Sequence, residues 1–273
     1  MAALDAISRR RDGLALLGAA CIALGYFRTA SWETAFYFAR DMKEEIWLVW
    51  SPVEALAAVL LVAGAILLAR RGAIPRAAGD GLLLGVGIVV LAAMAAFVGT
   101  WFDFDGTSQL TGFGAVVIAV AGLIGLVASP ALEAELPRRS LLIAGAGVVL
   151  GLAPLVVDIA SWDDSSLVGY AGGALYVETL VAGVAAILAL LALVWVPRGR
   201  LPAAGVLAAV GVLLAIHLVA IFAEIGSDAG LRHIRYGGVL GIGGGLLLVI
   251  AAARIVRAAR PVRPLAVSQV QPV

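Results

Sequence analysis

Apolar runs of about 20 residues recur along this chain, separated by short clusters that hold nearly all of its charge. They occupy 13–32, 47–69, 80–101, 111–129, 141–161, 171–196, 203–224 and 237–256. A helix of that length crosses the hydrocarbon of a bilayer, where only helices or closed barrels satisfy the backbone. A barrel would require strands with alternating polar and apolar residues, and no such alternation occurs. The pattern therefore predicts eight transmembrane helices.

The eight runs divide into two similar sets. Ala30-Ser31-Trp32-Glu33 returns as Ala160-Ser161-Trp162-Asp163, and Arg10-Arg11 upstream of the first returns as Arg138-Arg139 upstream of the second. Val53-Glu54-Ala55-Leu56 is echoed by Val177-Glu178-Thr179-Leu180, and Phe113-Gly114-Ala115-Val116 by Tyr236-Gly237-Gly238-Val239. The offsets are 130, 124 and 123, so one indel in the first loop accounts for nearly all the drift. The predicted class is an all-α integral membrane protein, a tandem and parallel 4+4 duplication with both termini cytoplasmic. Its first repeat is expected at 1–134 and its second at 135–260. The tail 261–273 holds three prolines and no helical period, and is predicted to be disordered.

Orientation follows from the connecting segments. Arg9, Arg10, Arg11, Arg70, Arg71, Arg76, Arg138, Arg139, Arg198, Arg200, Arg254, Arg257, Arg260 and Arg263 fall on one side, fourteen of the 19 basic residues. The other side has Arg28, Arg40, Lys43, Arg232 and Arg235. By the positive-inside rule the first side is cytoplasmic. It holds five of the 18 acidic residues and the outer side thirteen, so a net charge of +1 hides +9 inside and −8 outside. One Lys against eighteen Arg, with abundant Ala and Gly, points to a GC-rich bacterial gene and hence to the inner membrane.

Composition agrees: 63% hydrophobic, 14% charged and a mean hydropathy of +1.07, far from the balance of a soluble domain. The single Cys21 excludes an intrachain disulfide, and His217 and His233 are too far apart for a metal-site spacing. Without any Asn there is no N-glycosylation acceptor. No phosphate loop, nucleophile elbow or zinc-protease helix is present. No metal or other cofactor is expected, nor any nucleic-acid partner. The expected partners are the lipid bilayer and either a second copy of the chain or another membrane protein. Ser8-Arg9-Arg10-Arg11 resembles a twin-arginine signal, and the residues before Cys21 loosely resemble a lipoprotein box. The equivalent run after Arg139 stands mid-chain and Gly18 replaces the large aliphatic residue, so an uncleaved helix is expected. The first outer loop mixes Trp32, Phe36, Tyr37, Phe38 and Trp47 with charges, which suits an interfacial helix.

Several polar residues fall inside the spans. Arg28 stands four residues before Trp32 and Asp158 four before Trp162, and the two would pair if the first and fifth helices met at an axis between the repeats. Glu54 and Glu178 follow Val in matched contexts. An intramembrane carboxylate marks a functional site by default, but Ser51-Pro52-Val53-Glu54 also suits a helix start with its carboxylate at the positive end of the dipole. His217 and Glu224, seven apart, share one helix face. A neutral histidine hydrogen-bonded between helices is the commoner arrangement, and a proton relay the functional one. Phe97 stands near the equivalent of His217 in the first repeat, so any role for it is one-sided. Asp103, Asp105, Asp163, Asp164 and Asp228 form an expected acidic rim outside, without the later ligands of a calcium loop. Gly237, Gly241 and Gly245 predict a smooth helix ridge.

Three functions fit these residues. The foremost is a small transporter, or a proton- or cation-coupled carrier, with an outward-facing polar site between the repeats. The second is a non-catalytic assembly or partner subunit. The third, a membrane enzyme acting at the outer face, lacks a recognisable nucleophile, base and orienting group.

Overall fold

The computed structural model of the chain describes residues 2–32, 52–100, 107–128, 136–156, 166–228 and 236–259. Among the described residues there are eight α-helices and no strand. They are α1 Ala2–Trp32, α2 Pro52–Arg70, α3 Arg76–Thr100, α4 Thr107–Ala128, α5 Arg138–Gly151, α6 Ser166–Trp195, α7 Arg200–Asp228 and α8 Tyr236–Ala258. Stretches in α2, α3, α4, α5, α7 and α8 are long and apolar enough to cross a membrane. The chain is thus a multi-pass helical membrane protein in class. The other two helices are α1 and α6, the latter with a described apolar stretch of Thr179–Trp195.

Two boundaries depart from the sequence pattern. Helix α1 begins at Ala2 and carries its arginines within it, so Arg11 and Asp12 are buried helix residues rather than loop charges. Helix α5 stops at Gly151, ten residues before the apolar run ends at 161. Pro154 has no N–H to donate and its ring would press on the Leu150 carbonyl, so the chain leaves the helix through the 3-10 turn Ala153–Leu155.

Helices α3 and α7 form the centre, with 78% and 72% of their apolar windows buried against 33–44% for the other four spans. In the first four helices, α1 packs on α2 and α4, and α3 packs on α2 and α4. In the last four, α5 packs on α6 and α8, and α7 on α6 and α8. The two sets meet through α3 with α7, α2 with α7 and α3 with α6. The third and seventh helices thus make the central contact, not the first and fifth, on whose meeting the Arg28–Asp158 pair was conditional.

The reason lies in side-chain size. Gly81 sits against Pro202, Gly85 against Val206 and Ala209, and Gly205 against Ala78 and Leu82. The partners advance together along both helices, so α3 and α7 run in the same direction. The backbones are so close that a Cβ at Gly81 or Gly205 would overlap the opposing carbonyl. Helix α1 spends its small face elsewhere, setting Gly18 against Gly114 of α4. On α8, Gly241 abuts Pro154 and Leu218, and Gly245 abuts Gly211. Leu60, Val127, Leu142, Val149 and Leu246 point outward, apolar surface suited to lipid.

Candidate functional site

Helix α2 opens with Pro52 and carries Glu54 in its first turn, the arrangement of an ordinary helix start. Yet Glu54 does not face headgroup water. It is 1% exposed, and its Oε1 is in hydrogen-bonding contact with Nδ1 of His217, also 1% exposed, on α7. Glu54 thus stands in the first turn of α2 and also makes an interhelical contact. A carboxylate removed from water needs a partner, and the packing of α2 on α7 supplies an imidazole N–H. Ala55 and Ala58 on α2 and Leu213, Leu214 and Leu218 on α7 are buried around this level, so the surroundings are apolar. An ionised carboxylate only accepts, so the His217 Nδ1–H then donates to it, and an added proton can go either to the carboxylate or to Nε2 on the other side of the ring.

A second buried polar group lies at the other end of α2. Arg11 Nη2 stands 2.6 Å from Asp80 Oδ1, and Arg11 Nη1 stands 3.3 Å from Asp12 Oδ1. Arg70, the last residue of α2, donates from Nε to Asp12 Oδ2 at 2.7 Å. Arg11, Asp12 and Asp80 are at most 4% exposed, while the Arg70 side chain is 58% exposed and ties the group to solvent. Two cations and two carboxylates balance. Gly125 of α4 makes room, since a Cβ there would overlap the Asp80 carboxylate. Reading along the sequence treats Arg11, Asp12 and Asp80 as solvated connection charges. The overlooked signals were Asp80 between two glycines, Gly79 and Gly81, and an Arg-Asp pair directly beside the first span. Ser140 replaces that Asp where Arg138-Arg139 repeats Arg10-Arg11.

The structure thus joins Glu54 to His217, which the sequence placed in separate constellations. Arg28, Glu178 and Glu224 belong to helices α1, α6 and α7, and Asp228 ends α7. Their side chains, and therefore the expected Arg28–Asp158 pair, lie outside the described residues, as do Asp158, Asp103, Asp105, Asp163 and Asp164. So do the aromatic first loop and the tail after Ala259. Among the described residues no three His, Cys, Asp or Glu side chains are grouped to hold a metal ion. Comparison with protein-family models, curated proteins and solved structures finds no match.

Proposed function

We propose that the protein is a small carrier coupled to protons or another cation, with Glu54 and His217 as its polar site between two four-helix repeats. The observation that carries this reading is the Glu54–His217 contact itself: a titratable pair, buried on both sides, with one group from each set of helices. A buried acid–base pair between two bodies can take up a proton and change how firmly the bodies hold together. The other buried charges among the described residues are Arg11, Asp12 and Asp80, at the far end of α2; Thr111, Ser140 and Thr179 are buried hydroxyls.

The duplication is supported by the packing. The helix pairings of the first four recur in the last four, and the contacts between sets are reciprocal. Gly81 meets Pro202 while Gly205 meets Ala78, an exchange related by the same offset of 124 that relates Glu54 to Glu178. At that offset the counterpart of His217 is Ala93 rather than Phe97, so the site has no twin on α3. Exposed Arg71, Arg76, Arg138, Arg139, Arg198, Arg254 and Arg257 at helix ends support cytoplasmic termini in a bacterial inner membrane.

The test is reconstitution into liposomes containing a pH-sensitive dye, with gradients of inorganic cations and small organic solutes imposed in turn. Proton movement should accompany at least one gradient in the wild type and be lost in Glu54→Gln and His217→Gln at equal folded yield. Failure of every gradient to move protons in the wild type, or undiminished movement in both variants, would overturn the carrier reading and favour an assembly subunit.

A further inference from the structure

The two buried polar groups differ in which bodies they join, and this difference carries a mechanical reading. Arg11, Asp12, Asp80 and Arg70 all belong to α1, α2 and α3, and Gly125 presses α4 onto the same group. Each of its ion pairs, Arg11–Asp80, Arg11–Asp12 and Arg70–Asp12, joins residues of these three helices. Burial leaves Arg11, Asp12 and Asp80 dependent on their partners, so separating these helices would strand a charge in a poor solvent. The corresponding places in the last four helices hold Ser140 and Ala204, which cannot form such a tie. The first three helices are therefore ionically tied, and α4 packs on the tie through Gly125, so the four form one body.

Glu54–His217 instead links the first body to the second. Among the described glycines, those set most tightly against the other body are Gly81 and Gly205 in the α3–α7 contact. His217 is twelve residues beyond Gly205, roughly 18 Å along α7 at 1.5 Å per residue. Glu54 is sixteen residues before Arg70, roughly 24 Å from the welded end. The close contact and the polar bridge thus sit at different heights on one interface. Small residues at a crossing allow backbones to roll on each other without displacing side chains, whereas a bridge farther along must break for the bodies to part.

We propose that the first four helices turn as one body on the Gly81–Gly205 contact, with the Glu54–His217 bridge as the clasp that holds the opposite end shut. Opening then occurs on the side away from Arg70. The purpose of this motion rests on the carrier reading, but its geometry does not. A turn of about 15° over roughly 18 Å displaces the clasp by about 5 Å.

Pairs of spin labels at the two ends of α2 and α8 measure this directly, in a Cys21→Ala background in nanodiscs. One pair replaces exposed Leu56 and Tyr236 near the clasp; the other replaces exposed Leu68 and Arg254 near the weld. His217→Ala removes the clasp and leaves Glu54 buried beside an apolar residue. Glu54→Ala with His217→Ala removes it without leaving a charge behind, so one of the two variants stays informative if the other folds poorly. The Leu56–Tyr236 distance should lengthen by about 5 Å and the Leu68–Arg254 distance by much less. An unchanged outer distance in both variants, or equal changes at both ends, would overturn the proposal. Lengthening without proton-linked flux in the wild type would sink the carrier and leave the clasp standing. Lost flux with unchanged distances would do the reverse.

Discussion

Asp80→Asn tests the ion group at its most buried member. Asp80 is 0% exposed and faces Arg11 at 2.6 Å, while Arg11 also faces Asp12, which holds Arg70. Neutralising Asp80 preserves its shape but leaves one positive charge in excess among groups shielded from water. Breaking one side of a buried pair costs about 3–5 kcal/mol. At about 2–4 °C per kcal/mol for a chain of this size, the melting temperature should fall by roughly 6–20 °C. The protein contains its own reporter: Cys21 is its single cysteine, is 8% exposed and packs against α4 at Gly114. A thiol-reactive dye added during heating reads the loss of that packing. Arg11→Gln added to Asp80→Asn removes the stranded cation and leaves Asp12 with Arg70, so the double variant should recover most of the loss. A fall of less than about 2 °C for Asp80→Asn, or costs that simply add in the double variant, would refute the reasoning.

Other outcomes follow from the same geometry. Gly125→Ala would drive a methyl into the Asp80 carboxylate and should cost about 1–3 kcal/mol in the same melting assay. Gly64→Ala, where nothing lies within 4 Å of the added atom, should instead be neutral or stabilise by up to about 1 kcal/mol. Gly205→Val would wedge α3 from α7 at the Ala78 carbonyl, and should reduce the yield of monodisperse protein on size exclusion far more than Gly145→Val, which meets open space. A reporter fused after Arg200 should be cytoplasmic and one inserted near Ser165 external; the opposite result at either site would mean a miscounted span.

The sequence by itself determined the helical class and the approximate placement of the helices. Bilayer thickness and backbone hydrogen bonding translate directly into runs of apolar residues, and those requirements are local. Where a local rule competed, as with Pro154 inside an apolar run, the proline decided the boundary. Glu54 and His217 were each visible as ionisable groups inside spans, but nothing local joins residues 163 apart. Their contact depends on α2 packing against α7, which depends in turn on glycines that let α3 and α7 come together at the centre. The same limit applies to Arg11, Asp12 and Asp80. Near a helix end, a charged residue has the same sequence signature whether it meets water or a counter-ion. Only the convergence of α1, α2 and α3 decided that these charges face one another, because desolvation and pairing are properties of three-dimensional neighbours rather than of position along the chain.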